Sequence, residues 1–138
     1  MCAQAAGRVF KIKRSERCYR LRPETLRACA PRRPGVYELI AYDPKGGAEV
    51  LYVGLALPQT LYDRLVCHLM GNIRPTADEL RKPYPEVYFD FIADADIDCP
   101  EEFQDIAGAL IIRHNPRYNL LQNPPSSGRH RDVTLMES

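Results

Sequence analysis

Apolar and polar positions along the chain alternate in ways that name most of its elements. Gly35 to Tyr42 is a run rich in Val, Tyr, Leu and Ile and reads as a strand. Asp43-Pro44-Lys45-Gly46-Gly47 is turn chemistry, and Glu49 to Gly54 reads as the returning strand, so the two predict a β-hairpin. Thr60 is placed to cap a helix from Leu61 to about Met70, with Gly71 at its C-terminal stop. Thr76 followed by Glu79 is a capping box for a short helix ending before Pro83, and Val87 to Ile92 reads as a third strand. Pro100 suits a first helical position, with Glu101 and Glu102 at the positive end of the dipole. Phe103, Ile106, Ala107, Leu110 and Ile111 then follow the spacing of one inward helical face. The order β-β-α-α-β-α describes a small α+β domain.

Charge divides the chain further. The totals, 19 Lys+Arg against 18 Asp+Glu, give a formal net charge of +1. Residues 1–33 carry ten basic and two acidic residues, residues 34–112 five basic and fourteen acidic, and residues 113–138 four basic and two acidic. The reading is a basic N-terminal arm over 1–33, a domain over 34–123 and a polar C-terminal tail over 124–138, mobile unless a partner orders it. Lys11, Lys13, Arg14, Arg17, Arg32 and Arg33 are the arm's candidate contacts to a nucleic-acid backbone. A solvated basic segment accounts for the same charges equally well, so near-neutrality overall neither requires nor excludes a polyanion.

The five cysteines are odd in number and lack metal-ligand spacing, which suits free thiols in a reducing cytoplasm. No apolar run approaches a membrane span, and no apolar segment follows the N-terminus, so the expectation is a cytoplasmic protein with no membrane partner.

Four features carry candidate chemistry. Gly35-Val36-Tyr37 and Tyr52-Val53-Gly54 fall on the two hairpin strands. Arg64 and His68 stand one turn apart on the following helix and share a face. Asn119 closes Pro116-Arg117-Tyr118-Asn119 after the last helix. A guanidinium beside an imidazole suits a phosphodiester, the one holding phosphate charge and the other relaying a proton. Taken singly, each residue also has an ordinary structural use.

Jointly, these motifs and the Leu110-Ile111 pair resemble the GIY-YIG nuclease superfamily over roughly residues 34–121. The resemblance implies a three-stranded antiparallel sheet flanked by helices and a metal-dependent endonuclease acting on DNA, with RNA left open. By the same resemblance Tyr37 or Tyr52 would be the general base, assisted by His68. Arg64 would stabilise phosphate charge, one Mg²⁺ or Mn²⁺ would be held by a glutamate, and Asn119 would orient that site.

Two positions depart from the pattern. The glutamate expected nine residues before Pro116 is Ala107, which cannot bind a metal, and Leu55 replaces a common lysine. Asp105 lies about 200° around the helix from position 107, and Glu101 and Glu102 lie more than a turn earlier, so none is placed to substitute. One reading is an endonuclease disabled by Glu-to-Ala replacement, favoured because Tyr37, Tyr52, Arg64, His68 and Asn119 are all retained. The other is a natural pseudo-nuclease that binds nucleic acid without cutting. A repurposed protein-interaction domain is a third class. Substrate structure and the choice between monomer and dimer stay open.

Overall fold

A computed structural model describes residues 7–119 and 124–138. The hairpin forms as the pattern predicts, from β3 (Gly35–Tyr42) and β4 (Ala48–Ala56), and β5 (Tyr88–Ala95) pairs antiparallel with the other side of β3. Helix α2 (Leu61–Met70) begins where the Thr60 hydroxyl accepts the Asp63 amide at 3.0 Å and ends at Gly71, with φ 81°. Helix α3 (Ala77–Arg81) carries both halves of the Thr76–Glu79 capping box. A 3-10 turn, Pro100–Glu102, leads into α4 (Phe103–His114), which Asn115 closes at φ 45°.

The sheet is larger than the expected three strands, although the α+β class stands. The basic segment supplies β1 (Arg8–Arg14), the two-residue β2 (Tyr19–Arg20) and helix α1 (Pro23–Cys29), and the C-terminal segment supplies β6 (Val133–Glu137). The strand order is β4-β3-β5-β1-β6, with β2 also on β5 and β6 parallel to β1. Residues 8–33 are therefore part of the sheet and its cover rather than an arm. The physical reason lies in Arg8–Arg14 itself, where buried Phe10 and Ile12 alternate with exposed Lys11 and Lys13. That period-two pattern hides beneath the density of positive charge. The C-terminal segment is likewise built in: residues 124–127 cross α4 at Gly108, where an added Cβ would overlap the Pro125 carbonyl oxygen.

Helices cover both faces. Leu26 of α1, Leu61 and Leu65 of α2 and Leu80 of α3 pack with Tyr37, Leu39, Leu51 and Phe89 on one face. Phe103, Ile106, Ala107 and Leu110 of α4 pack with Phe10, Ile12, Val36, Val53 and Ile92 on the other. Cys18, Cys29, Cys67 and Cys99 are unbridged, and Cys2 lies outside the described residues. Among the described residues no helix is long and apolar enough to cross a membrane.

The α4 face also buries charge. Glu38 and Asp90 sit opposite each other on β3 and β5, and Arg14 pairs with both and with Glu137 of β6. Burial, with Glu38 alongside, pushes the Asp90 carboxyl up to about 8. Glu38, despite burial that alone would raise it, is held below the usual range by His114, Asp90 and Arg14. The folded chain therefore keeps a proton on Asp90 that the unfolded chain releases at about pH 4. This group's contribution to stability falls as pH rises from about 4 to about 8, by roughly 1 kcal/mol per pH unit, and is level above. Asp90→Asn mimics the protonated acid without titrating. Denaturant melts at a series of pH values should show a flatter profile for Asp90→Asn; an unchanged slope would mean that Asp90 is ionised in the fold.

Candidate active site

Alternation along β3 sends Tyr37 to the α2 face, and its cross-strand partner on β4 is Gly54. A Cβ on Gly54 would overlap the Tyr37 phenol ring, so the glycine makes the space that the ring fills. Tyr52 pairs with Leu39 and faces the same way. Helix α2 lies over these strands and brings His68 down beside them. The three rings form a cluster, with centroids 6.2 Å apart for Tyr37–Tyr52, 5.4 Å for Tyr37–His68 and 5.2 Å for Tyr52–His68.

The protons in this cluster can be assigned from the partners. His68 Nδ1 lies 2.8 Å from the Pro75 carbonyl, which only accepts, so Nδ1 carries the hydrogen. Nε2 then offers a lone pair, and the Tyr37 hydroxyl donates to it at 2.5 Å. Burial pushes the imidazole down to about 4, with the nearby Arg64 charge adding to the effect, so His68 is neutral near pH 7. Burial also pushes the Tyr37 and Tyr52 phenols up, while the Arg64 guanidinium pulls both back. Arg64 Nε is buried and has no hydrogen-bond partner among the described residues, which leaves one donor of the guanidinium unsatisfied beside two phenols.

Beside Tyr52 opens a cleft of about 300 Å³, walled by Pro75, Arg117, Tyr118 and Asn119 with Arg74 at its rim. Glu79 also reaches the wall. Its carboxylate is held down to about 2 by Arg74 and by the Thr76 backbone, and both its oxygens are occupied there. Asn119 is spent differently from expectation. Its side chain accepts from Val53 N at 2.8 Å and donates to Val53 O at 2.9 Å, while Tyr118 N donates to Leu51 O at 3.0 Å. The terminal turn thus closes the free edge of β4 and positions Tyr118 and Arg117 at the cleft.

Four of the candidate residues, Tyr37, Tyr52, Arg64 and His68, come together, and Ala107 does not join them. It is fully buried with Val36, Val53 and Ile92, which point to the opposite face of the sheet. The residues at this site therefore do not fit the Mg²⁺ or Mn²⁺ that the resemblance implies: among the described residues no free carboxylate stands beside the tyrosines, and position 107 faces away.

The basic candidates divide as well. Phe10 and Ile12 point toward α4, so Lys11 and Lys13 point to the face that carries Tyr37, and both are exposed. Arg17 is exposed, Arg32 stacks over Tyr62 of α2 at 4.0 Å, and Arg33 bonds Asp94 at 2.9 Å. Arg14 is committed to the carboxylates of the α4 face. Sequence reasoning passed over Arg74 and Arg117 as cleft residues. Arg117 lay inside the quoted turn motif, but Arg74 has no signal beyond the proline after it. No protein-family model matches the chain, and no curated protein or solved structure does.

Proposed function

We propose that the chain is a GIY-YIG-like domain that binds nucleic acid through its phosphate backbone and, as it stands, does not cut it. The observation carrying this reading is the convergence of Tyr37, Tyr52, Arg64 and His68 from two strands and a helix, with a buried Arg64 donor left unpaired. A phosphodiester supplies the missing acceptor, and a guanidinium is the side chain best suited to it. Tyr52 donates to another phosphate oxygen, while Tyr37 gives its single hydrogen to neutral His68 Nε2. An anion bound beside the imidazole would favour its protonated form, so Tyr37 and His68 can together take up a proton on ligand binding.

Cleavage is a separate matter. In-line attack by water needs the leaving oxygen's charge to be stabilised, and none of the site's side chains is a free carboxylate that could bring a metal to it. Lys11 and Lys13 lie exposed along the same face, and Arg74, Arg117 and Arg33, paired with Glu79, Glu49 and Asp94, can exchange those partners for phosphate.

The test is fluorescence anisotropy with labelled DNA and RNA, duplex and single-stranded. Raising salt from about 50 to about 200 mM should weaken binding at least about tenfold if two or more phosphates are contacted. Arg64→Ala should weaken it by about tenfold or more at fixed salt, with Arg64→Lys intermediate. Absence of binding at low salt, or an Arg64→Ala protein that binds as tightly as its parent, would remove the basis of the reading.

A further inference from the structure

On the other face of the sheet, two side chains at the start of α4 meet a third from a distant part of the chain. Glu102 ends the 3-10 turn, Asp105 follows three residues later, and His130 arrives on the segment that crosses the helix. Their ligand atoms all lie within 4.8 Å of one another. Glu102 is fully buried, Asp105 is 3% exposed, and the His130 side chain is 10% exposed. Surface acidic clusters are common and mean little, but two buried carboxylates beside a partly buried imidazole are costly to leave without a matching cation.

The surroundings of each group are those of a ligand. Glu102 Oε1 accepts the Asp98 amide at 2.6 Å, and its other oxygen faces His130 Nε2. Asp105 accepts the Ser127 amide at 3.0 Å and the hydroxyls of Ser126 and Ser127. Such outer hydrogen bonds fix the direction of ligating carboxylates. The protein's own cation at this spot is Arg129, whose Nε is 3.6 Å from Glu102, and half of its side chain is exposed. Among the described residues His130 Nδ1, which is buried, has no hydrogen-bond partner. An imidazole bonded only to Glu102 leaves one ring nitrogen unpaired in either tautomer and in either ring orientation. Next to Asp105 and His130 lies a cleft of about 310 Å³, also lined by Asp132, with room for water ligands.

We propose that Glu102, Asp105 and His130 bind one zinc-type divalent ion that fastens residues 124–130 onto α4. One nitrogen and two carboxylate oxygens suit zinc better than magnesium, which takes oxygen almost alone. Bonds of about 2.0–2.2 Å require the three ligand atoms to draw in to roughly 3.3 Å apart, a matter of side-chain rotation, with a water from the cleft in the fourth position. The contact between His130 and Glu102 is replaced by the shared ion, and His130 binds as neutral imidazole. The role is structural and independent of the tyrosine site.

The experiment is calorimetric titration of the chelator-stripped full chain with Zn²⁺ and with Mg²⁺, alongside thermal melts. One Zn²⁺ should bind per chain at micromolar or tighter affinity and raise the melting temperature, with Mg²⁺ doing neither. His130→Asn and Asp105→Asn should each weaken Zn²⁺ binding at least about tenfold, since loss of even outer partners costs about 10–100-fold. Failure of the parent chain to bind Zn²⁺ one-to-one, or undiminished binding in both folded variants, overturns the proposal. If the variants do not fold, the parent's Co²⁺ spectrum decides. Tetrahedral visible bands without a thiolate charge-transfer band support the site. A thiolate band, which would implicate Cys99, or a weak octahedral spectrum overturns it.

Discussion

Ala107→Glu should lower stability by roughly 3–5 kcal/mol, the cost of an unpaired charge in a core, and create no nuclease. Position 107 is fully buried, with Ile106, Leu110, Val53 and Phe10 in the same cluster. A glutamate there must overpack that cluster and also place a carboxylate among apolar side chains. For a chain of this size the expected fall in melting temperature is about 10–20 °C. Ala107→Gln separates the two effects, because it brings the bulk without the charge and should fall short of the full loss. Supercoiled and branched DNA incubated with Ala107→Glu and Mg²⁺ should stay intact. A stable variant that cuts would mean that a side chain at 107 reaches the tyrosine cluster, and would restore the reading of a disabled endonuclease.

Gly54→Ala is expected to be nearly as damaging, at about 3 kcal/mol, the upper end of ordinary overpacking. The added Cβ would overlap a phenol ring with no exposure at all, locked between strands and helix and bonded to His68. Tyr37 can yield only by leaving its place, and the hydrogen bond that fills His68 Nε2 goes with it. The readout that a merely structural role would not move is the imidazole titration. In the parent protein burial holds His68 down to about 4; in Gly54→Ala, NMR should show it returning toward the usual value near 6.5 as water enters. A variant as stable as its parent with an unmoved His68 titration would show that the ring has room to spare.

The central hairpin, α2 with both its caps, the capping box of α3, and α4 were legible because each is written in local chemistry: strand alternation, a threonine at the start and a glycine at the end, or a helical apolar spacing. That Arg64 and His68 share a face was legible in their one-turn spacing, whereas their meeting with Tyr37 and Tyr52 was an expectation from the resemblance alone. What stayed hidden depends on partners far away in the chain. β1 looked like a polyanion-binding arm because charge drew attention from Phe10 and Ile12, whose burial needs α4. β6 is five residues with one buried leucine, too weak a pattern to stand without β1 beside it. The facing of Ala107 was hidden too: a helical wheel shows which residues share a face, but not which side of the sheet the helix covers.

The pairing of β1 with β6 joins Arg8 to Val133, about 125 residues apart. Until residues 133–137 have been synthesised, the first long strand has one neighbour where it will later have two. Closing so long a loop carries an entropic cost that grows with the logarithm of its length, and sheets dominated by such remote pairings assemble in milliseconds to seconds rather than microseconds. The outer edge of the first strand, with its amides and carbonyls unpaired, is thus the part of the emerging chain most in need of protection from other chains.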